Sequence, residues 1–306
     1  MSKLTIVGSG NLGSQAAFYA ALKNIADEIV LVDIVEGMPQ GKALDMLEAM
    51  PITGSNVKIT GSNNYKSSKD SDVVIITAGL PRRPGMTRED LLETNSKIIK
   101  SVVTEVVKYS PSSKLIIVTN PLDAMVYLAY KISKFPKNRV IGMAGVLDTA
   151  RFRTFIAQEL NADLNKVEAV VLGSHGDLMV PLIDHCKVNG KPVKKLIPKE
   201  KLDKIIERTR KGGEEIVNLL KTGSAFFAPG LSAAQMAESI IKDKKMILPC
   251  AVLLEGEYST NGVFVGVPAK LGKNGVEEII ELKLAQEEKK AFQQSVDHIK
   301  KVVEDI

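Results

Sequence analysis

Three histidines are the only imidazole groups in this chain, and one of them stands in a setting suited to proton transfer. His175 lies in Leu172-Gly173-Ser174-His175-Gly176-Asp177, between glycines at the end of an apolar run. His298 lies in a highly charged segment near the C-terminus, and His185 lies beside Cys186 in a run that leads to a hairpin. An imidazole accepts and donates a proton near neutral pH, and functional residues concentrate on loops. His175 is therefore the candidate acid and base.

A carboxylate and a guanidinium that could act with this histidine occur together in Leu147-Asp148-Thr149-Ala150-Arg151. Residues three positions apart at the start of a helix share one face. Asp148 could orient an imidazole, and Arg151 could bind a carboxylate through two parallel hydrogen bonds. Two other interpretations stay open, in which Asp148 caps the helix and Arg151 pairs with it at the surface.

Arginine is scarce in this chain and unevenly placed. Of 41 basic residues only eight are arginines, and five of these lie in two short segments, 82–88 and 151–153. A planar guanidinium is the side chain best matched to a carboxylate or phosphate, so these segments predict an anionic ligand. The net charge of +5 comes from lysines spread among acidic neighbours, which indicates a solvated surface and argues against nucleic-acid binding.

A glycine-rich turn near the N-terminus predicts a dinucleotide site. The segment Gly8-Ser9-Gly10-Asn11-Leu12-Gly13 follows the apolar run 4–7, opens a helical pattern, and is followed 20 positions later by Asp33. Glycines at these places allow a tight turn, close approach of a pyrophosphate and close helix packing, while the helix N-terminus offers free N–H groups. Asp33 would accept hydrogen bonds from the ribose hydroxyls and repel a 2′-phosphate, so NAD is favoured over NADP. The competing interpretation is an incidental glycine turn.

The elements expected to position these residues alternate between strand and helix in the first half. Runs rich in Ile and Val predict buried strands at 4–7, 29–32, 57–60, 72–77, 114–119 and 140–143. Helical patterns lie between them at 12–24, 40–50, 88–108 and 122–133. This order predicts an α/β fold whose first domain, residues 1–145, is a doubly wound parallel-sheet (Rossmann) domain.

The pattern changes in the second half. Helices are expected at 148–160, 199–221, 230–242 and 285–304, and strands at 167–172, 246–254 and 262–267. Asn189-Gly190 is a strong two-residue hairpin signal after the apolar stretch 179–188. Residues 146–306 are therefore predicted to form a mixed antiparallel α+β substrate domain that packs with the first as one body.

The composition indicates the class of protein. A chain of 306 residues with 44% hydrophobic and 25% charged residues is typical of globular proteins and long enough for about two domains. Two cysteines, Cys186 and Cys250, are too few for a disulfide framework or a four-thiolate metal site. No apolar run approaches the roughly 20 residues of a membrane helix, and the N-terminus lacks a signal-peptide layout, so we expect a cytoplasmic protein.

Taken together, these motifs resemble the lactate/malate dehydrogenase superfamily, and most closely its malate dehydrogenases of lactate-dehydrogenase-like type. The resemblance covers essentially the whole chain, and its segments occur in the family's order: the glycine turn, Thr77-Ala78-Gly79, the arginine loop 82–88, Val118-Thr119-Asn120-Pro121, Leu147-Asp148-Thr149-Ala150-Arg151, Gly173-Ser174-His175-Gly176-Asp177 and Gly223-Ser224-Ala225. It implies NAD as cofactor, no metal, and reversible oxidation of malate to oxaloacetate, a reaction of the tricarboxylic acid cycle. It also implies a homo-oligomer, either a tetramer or a dimer.

The resemblance implies a role for each matching residue. His175 matches the proton-relay histidine, and Asp148 the aspartate that holds it. Arg151 matches the arginine that binds the C1 carboxylate, Arg88 the loop arginine that polarises the carbonyl, and Asn120 an asparagine that donates to the substrate. Contacts with the cofactor are implied for Gly8, Gly10, Asn11, Leu12, Gly13, Asp33, Thr77, Ala78, Gly79, Asn95, Val118 and Asn120.

By the same resemblance, Arg82 distinguishes malate from lactate. This position is arginine in the malate enzymes and glutamine in the lactate enzymes, because oxaloacetate carries a second carboxylate where pyruvate has a methyl group, and a buried carboxylate needs a partner. Ala225 also matches the malate pattern, whereas Arg83 is expected to be an exposed charge. The loop 80–90 is expected to close over the substrate and exclude water.

Three alternatives stay open. A lactate or other 2-hydroxy-acid dehydrogenase would share the fold and the relay. An NAD-dependent glycosidase would share the glycine turn but needs a metal held by cysteine and histidine, for which His185-Cys186 is the only hint. A non-catalytic NAD-sensing relative could dispense with His175, Asp148 and Arg151, yet all three are present.

Overall fold

Six parallel strands form the first half of one continuous sheet in the computed structural model. The structure describes residues 1–81 and 87–304, except the side chain of Arg88. The strands are β1 (Lys3–Val7), β2 (Glu28–Val32), β3 (Lys58–Ser62), β4 (Val73–Ile76), β5 (Lys114–Ile117) and β6 (Val140–Gly142). Their order across the sheet is β3-β2-β1-β4-β5-β6, so the strand order reverses between β1 and β4. The predicted doubly wound parallel sheet is confirmed.

Helices cover both faces of these strands, which explains why the central strands β1, β4, β5 and β6 consist largely of buried apolar residues. The helices are α1 (Asn11–Leu22), α2 (Met38–Thr53), α3 (Arg88–Tyr109) and α4 (Leu122–Ser133). In β4, Val73 and Ile75 pack in the core cluster that includes residues of α1 and α2, whereas Val74 and Ile76 pack in the cluster that includes residues of α3 and α4. Successive side chains of a strand point to opposite faces, so both core clusters depend on the same short run.

Antiparallel strands extend this sheet through the second half. The strands are β7 (Val167–Glu168), β8 (Val171–Gly173), β9 (Met179–Pro181), β10 (Lys187–Val188), β11 (Lys191–Pro192), β12 (Met246–Glu255), β13 (Asn261–Gly272) and β14 (Gly275–Ile279). Strand β12 joins β6 through Ala251 and Gly142, and the order continues β12-β13-β8-β9. Strands β7, β10 and β11 form a separate small sheet, and β14 pairs with β13.

Four α-helices among residues 145–304 complete the second half and confirm its mixed α+β character. They are α5 (Gly145–Leu160), α6 (Lys199–Leu220), α7 (Phe227–Ile241) and α8 (Gln286–Glu304). The predicted hairpin is also confirmed, because Asn189 and Gly190 both have a positive φ and connect β10 to β11. Within 1–81 and 87–304, no helix combines the length and apolar character needed to cross a bilayer.

The predicted strand 167–172 is wrong as a single element. This run divides into β7 and β8, which belong to different sheets. Val167 packs in one hydrophobic cluster and Leu172 in another, and Thr149 Oγ1 accepts a hydrogen bond from the Val171 N–H at 3.0 Å close to the division. Strand β14 was not predicted at all, because the acidic pair Glu277-Glu278 interrupts its apolar pattern.

The sheet brings the candidate residues to one edge. Strands β1, β4 and β5 end just before Gly8, Thr77 and Val118, so the segments that follow them meet at the carboxyl ends of the parallel strands. Strand β8 ends at Gly173, which pairs with Gly266 of β13. This pairing fixes the start of the loop that carries His175.

The close approach of Gly173 and Gly266 predicts an effect on stability. A Cβ on Gly266 would lie 2.6 Å from the Gly173 carbonyl oxygen, so Gly266→Ala must shift backbone, and we expect a loss of roughly 1–3 kcal/mol. As a control, Gly41→Ala places a methyl group in open space on α2 and should stabilise by about 0.5–1 kcal/mol. Urea unfolding of both variants measures the difference. Equal stability of Gly266→Ala and the parent would contradict the observed strand contact.

Candidate active site

The glycine turn forms a cradle with no room for side chains on its inner side. Gly8 has a φ of +101°, and a Cβ there would lie 2.7 Å from the Ala78 nitrogen. A Cβ on Gly13 would lie 1.8 Å from the Gly8 carbonyl oxygen, so α1 packs directly on the turn. Gly10, at the N-cap of α1, has open space around its Cβ position. This geometry suits a pyrophosphate that accepts hydrogen bonds from the first N–H groups of α1.

Asp33 connects the end of β2 to this turn. Its Oδ2 accepts a hydrogen bond from the Ser9 N–H at 2.6 Å, and its Oδ1 accepts one from the Val35 N–H at 3.0 Å. Each carboxylate oxygen has further lone-pair capacity for a ribose hydroxyl. The Ser9 hydroxyl is buried and has no hydrogen-bond partner among the described residues. A buried hydroxyl of this kind, directly on the turn, fits a site that a polar ligand or water completes.

Asn95 supports the opposite side of the cofactor edge, which consists of the segments that follow β1, β2, β4 and β5. Its buried side-chain amide donates to the carbonyl oxygens of Asn120 at 2.6 Å and Leu80 at 3.1 Å. Its Oδ1 accepts from the Leu80 N–H at 2.8 Å. These bonds hold the segments that follow β4 and β5 together, so Asn95 positions Asn120. A direct contact between Asn95 and a cofactor stays a prediction.

The predicted relay residues are in contact. His175 Nδ1 lies 2.9 Å from Asp148 Oδ2, and Arg151 Nη1 lies 3.4 Å from Asp148 Oδ1, so the two oxygens of one carboxylate face different partners. The side chain of Asp148 is 2% exposed, and those of His175 and Arg151 are 14% exposed. The alternative of a surface ion pair between Asp148 and Arg151 is therefore wrong. The first turn of α5 supplies the carboxylate, and the loop after β8 supplies the imidazole.

Opposing influences act on the proton affinity of His175. Burial is the largest of them and lowers the pKa, but the charge of Asp148 and its hydrogen bond to Nδ1 raise it, and the net pKa lies above the usual value of a histidine. The nearby Arg151 opposes this rise, and burial lowers the pKa of Arg151 itself. Because Nδ1 contacts Asp148, exchange of a proton with a ligand takes place at Nε2. The raised pKa means that the imidazole keeps its proton to a higher pH than an ordinary histidine, because the Asp148 carboxylate stabilises the imidazolium.

One cavity of about 450 Å³ joins the relay to the cofactor edge. Its walls include Leu12, Val118, Asn120, Arg151, His175, Arg210, Ser224 and Ala225. The site thus collects residues from both halves of the chain, and a ligand in it would meet a proton donor and a carboxylate-binding guanidinium together. His185 and Cys186 do not line this cavity, and the His185 Nε2 instead lies 2.9 Å from the Lys283 carbonyl oxygen.

Arg82 and Arg83 lie outside the described residues, and so does the side chain of Arg88. The predicted contacts of Arg82 and Arg88 with a substrate, and the closure of loop 80–90, therefore stay predictions.

Sequence reasoning missed the glycine pair on α6 that makes room for Arg151. A Cβ on Gly212 would lie 3.1 Å from Arg151 Cδ, and a Cβ on Gly213 would lie 3.5 Å from Arg151 Nη2. Glycine inside a helix costs roughly 0.5–1 kcal/mol relative to alanine, and α6 has two in sequence near its middle. That cost was a signal in the sequence that the backbone here must approach another group closely.

Arg210 is a second residue that the sequence did not single out. It lines the cavity, and its Nε and Nη2 each lie 3.4 Å from the Met179 carbonyl oxygen. It occurs in Glu207-Arg208-Thr209-Arg210-Lys211, a charged run that is typical of a solvated helix face. Only the packing of α6 against the His175 loop shows that one of these charges reaches the site.

Comparisons with known proteins agree on one family over both halves. The lactate/malate dehydrogenase NAD binding domain matches residues 2–142, and the lactate/malate dehydrogenase alpha/beta C-terminal domain matches residues 145–306. A malate dehydrogenase of Chlorobium limicola is 56% identical over 293 residues, 96% of this chain and 94% of the relative.

Solved structures give the same result at the level of the fold. The malate dehydrogenase of Salinibacter ruber is 50% identical with a TM-score of 0.95, covering 99% of this chain and 97% of that one. A lactate dehydrogenase of Cryptosporidium parvum, complexed with lactic acid and nicotinamide adenine dinucleotide, is 44% identical with a TM-score of 0.95, again covering 99% and 97%.

The glycine pair on α6 predicts a position-specific effect on anion binding. In Gly212→Ala the new methyl group would lie 3.1 Å from Arg151 Cδ, so the Arg151 side chain must shift slightly. Misalignment of a charged hydrogen bond that contributes about 1.5–3 kcal/mol should weaken binding of a small carboxylate by up to roughly tenfold. Gly213→Ala is the matched control, since its methyl group meets Arg151 at ordinary contact distance. Calorimetric titration with a small dicarboxylate measures both. Equal affinities in the two variants would contradict the proposed packing.

Proposed function

The chain belongs to the lactate/malate dehydrogenase family, and from this premise we propose that it catalyses the reversible oxidation of malate by NAD to oxaloacetate and NADH. The observation that carries the proposal is the Asp148 carboxylate, which contacts both His175 and Arg151 beside the cavity. This arrangement provides an acid and base for the hydroxyl group of a substrate and a guanidinium for the substrate's own carboxylate.

The relay residues divide the reaction between them. NAD, when bound, supplies the acceptor for the hydride that leaves C2 of malate. His175 takes the hydroxyl proton at Nε2 as the C2–O bond becomes a carbonyl, and Asp148 stabilises the resulting imidazolium through Nδ1. In the reverse direction, the imidazolium returns its proton to the alkoxide oxygen. Arg151 holds the C1 carboxylate, and Asn120 donates to the substrate, so that C2 stays in one orientation.

The residues of the cofactor edge would hold NAD. We assign the pyrophosphate to the turn from Gly8 to Gly13 and the adenosine ribose to Asp33, whose two oxygens lie at the end of β2. A 2′-phosphate carries about 1.5 to 2 negative charges and would be repelled by this carboxylate. The remaining contacts that the resemblance implies, from Asn11, Leu12, Thr77, Ala78, Gly79, Asn95, Val118 and Asn120, belong to the same proposal.

Lactate dehydrogenase activity is the second candidate function. The lactate dehydrogenase of Cryptosporidium parvum matches this chain with the same TM-score as the malate dehydrogenase of Salinibacter ruber. The fold therefore does not distinguish malate dehydrogenase from lactate dehydrogenase activity. The side chains that line the site must make that distinction. Ala225 lines the cavity and leaves space beside it, and Arg82 would pair with the second carboxylate of oxaloacetate.

The assembly and the cellular setting are also proposals. Helix α2 and the residues before it expose apolar side chains to solvent, most of all Ile34 at 92% and Ile52 at 87%, with Leu44 and Leu47 between them. Such a surface on a folded protein favours contact with another subunit, so we propose a homo-oligomer, either a homotetramer or a dimer. We place it in the cytoplasm, where malate oxidation serves the tricarboxylic acid cycle.

Initial rates with two substrates test the proposed function. NADH oxidation is followed by absorbance at fixed enzyme concentration, first with oxaloacetate and then with pyruvate. The proposal predicts a much higher kcat/KM for oxaloacetate. A higher value for pyruvate would favour the lactate alternative, and no reaction with either would contradict both.

Substitution of Arg82 should change the preference for oxaloacetate over pyruvate. Arg82→Gln replaces a charged partner of the distal carboxylate by a neutral amide, so kcat/KM for oxaloacetate should fall roughly 10- to 100-fold, from about 1.5–3 kcal/mol per charged hydrogen bond. The value for pyruvate should change little or rise. Arg83→Gln is the control and should leave the ratio of the two substrates nearly unchanged. If Arg83→Gln has the larger effect, the residue that recognises the distal carboxylate is Arg83.

A further inference from the structure

A second carboxyl group lies beneath the His175 loop and has no part in the relay described above. Asp123 is the second residue of α4, and its Oδ2 accepts a hydrogen bond from the His175 backbone N–H at 3.1 Å. Its Oδ1 is buried and has no hydrogen-bond partner among the described residues. Burying a carboxylate oxygen without a hydrogen-bond partner is costly, so the burial of Asp123 requires an explanation.

Capping of α4 does not explain this carboxyl group. The N-cap of α4 is Pro121, which has no side-chain cap, and the Asp123 side chain bonds to a residue of the second half of the chain. A carboxylate that only complements a helix dipole does not need to be buried, because the interaction is also stabilising at exposed positions. The contact of Asp123 instead joins α4, in the first half, to the residue that carries the proton.

The electrostatic surroundings of Asp123 consist mainly of the relay. Burial is the largest influence and raises its pKa to about 7, while the charge and the backbone N–H of His175 lower it and Asp148 raises it. Helix α5 contributes Asp148 and, beyond it, Arg151, and the loop after β8 contributes His175. The buried residues of α8, which packs against α4, are Phe292, Ser295, Val296 and Ile299, all of them uncharged. The proton equilibria of Asp123 and His175 are therefore coupled.

We propose that Asp123 is a positioning residue of the relay, which fixes the His175 backbone through Oδ2 and raises the proton affinity of the imidazole through its charge. This proposal rests on the proposed function, in which His175 carries the proton.

The sign of the pH effect follows from the raised pKa of Asp123. Below about pH 7 the carboxyl group is neutral and adds no charge near His175, whereas above that pH it is ionised and stabilises the imidazolium. Asp123 therefore extends the protonated form of His175 toward alkaline pH. Reduction of oxaloacetate needs that form, so the alkaline limb of its pH profile depends on Asp123.

Asp123→Asn separates charge from geometry, because its amide oxygen still accepts from the His175 N–H while the charge is lost. We expect the pKa of His175, measured by NMR of labelled histidine in the whole enzyme, to fall by roughly one pH unit, the lower end of the effect of a nearby opposite charge. The alkaline limb of oxaloacetate reduction should move in the same direction. Comparison with His175→Asn assigns the imidazole signal.

Two further variants complete the test. Asp123→Ala removes both the charge and the acceptor, so it should show the same fall in pKa together with a lower kcat, since the loop loses its anchor. Glu200→Gln removes an equal charge from the first turn of α6 and should leave the pKa of His175 unchanged. If Asp123→Asn also leaves the pKa unchanged, the proposal is overturned and Asp123 is only structural. If the parent enzyme reduces no oxaloacetate, the proposed function fails, while the titration of His175 still decides the role of Asp123.

Discussion

The buried carboxylate of Asp148 is the interaction on which the site depends. An ion with 2% of its side chain exposed is stable only if other groups compensate the lost hydration, and here an imidazole and a guanidinium do so from two directions. Removing either partner would leave a buried charge without adequate compensation. The Asp148 carboxylate therefore does two things at once: it raises the pKa of His175 and it orients Arg151.

The fold supplies the three parts of this unit from separate elements. Helix α5 begins directly after β6, so Asp148 lies in its first turn near the edge where the cofactor loops meet. Strand β8 lies beyond β12 and β13 in the same sheet, and its end delivers His175. Helix α6 approaches with glycine where Arg151 needs space. Because one sheet runs through both halves, the distance between cofactor edge and relay is set by backbone pairing and not by a flexible connection.

Much of this organisation can be predicted from the sequence. The rest cannot be predicted, for physical reasons that differ from residue to residue. The Ile- and Val-rich runs located all six parallel strands, and the bounds predicted for α4, 122–133, agree with the structure. Composition could not divide 167–172 between two sheets, because Val167 and Val171 are both buried apolar residues and no glycine or proline separates them. The spacing of Asp148 and Arg151 made Asp148 a candidate partner for His175 but left a surface pair equally possible, and the family resemblance favoured the relay. Two adjacent glycines inside a helical pattern were a signal at Gly212, but the pattern could not identify Arg151 as the neighbour. Asp123 acts through a contact with a residue distant in sequence, so no local pattern revealed its role.

The central claim is that Asp148 fixes the orientation and the tautomer of His175. A carboxylate can only accept a hydrogen bond, so in the neutral imidazole the proton must lie on Nδ1, which leaves Nε2 bare toward the cavity. Nitrogen-15 NMR of labelled histidine, recorded above the pKa of His175, measures the tautomer directly. The account predicts the Nδ1–H form. A dominant Nε2–H form would contradict it, because the nitrogen that faces the substrate could then not accept the hydroxyl proton.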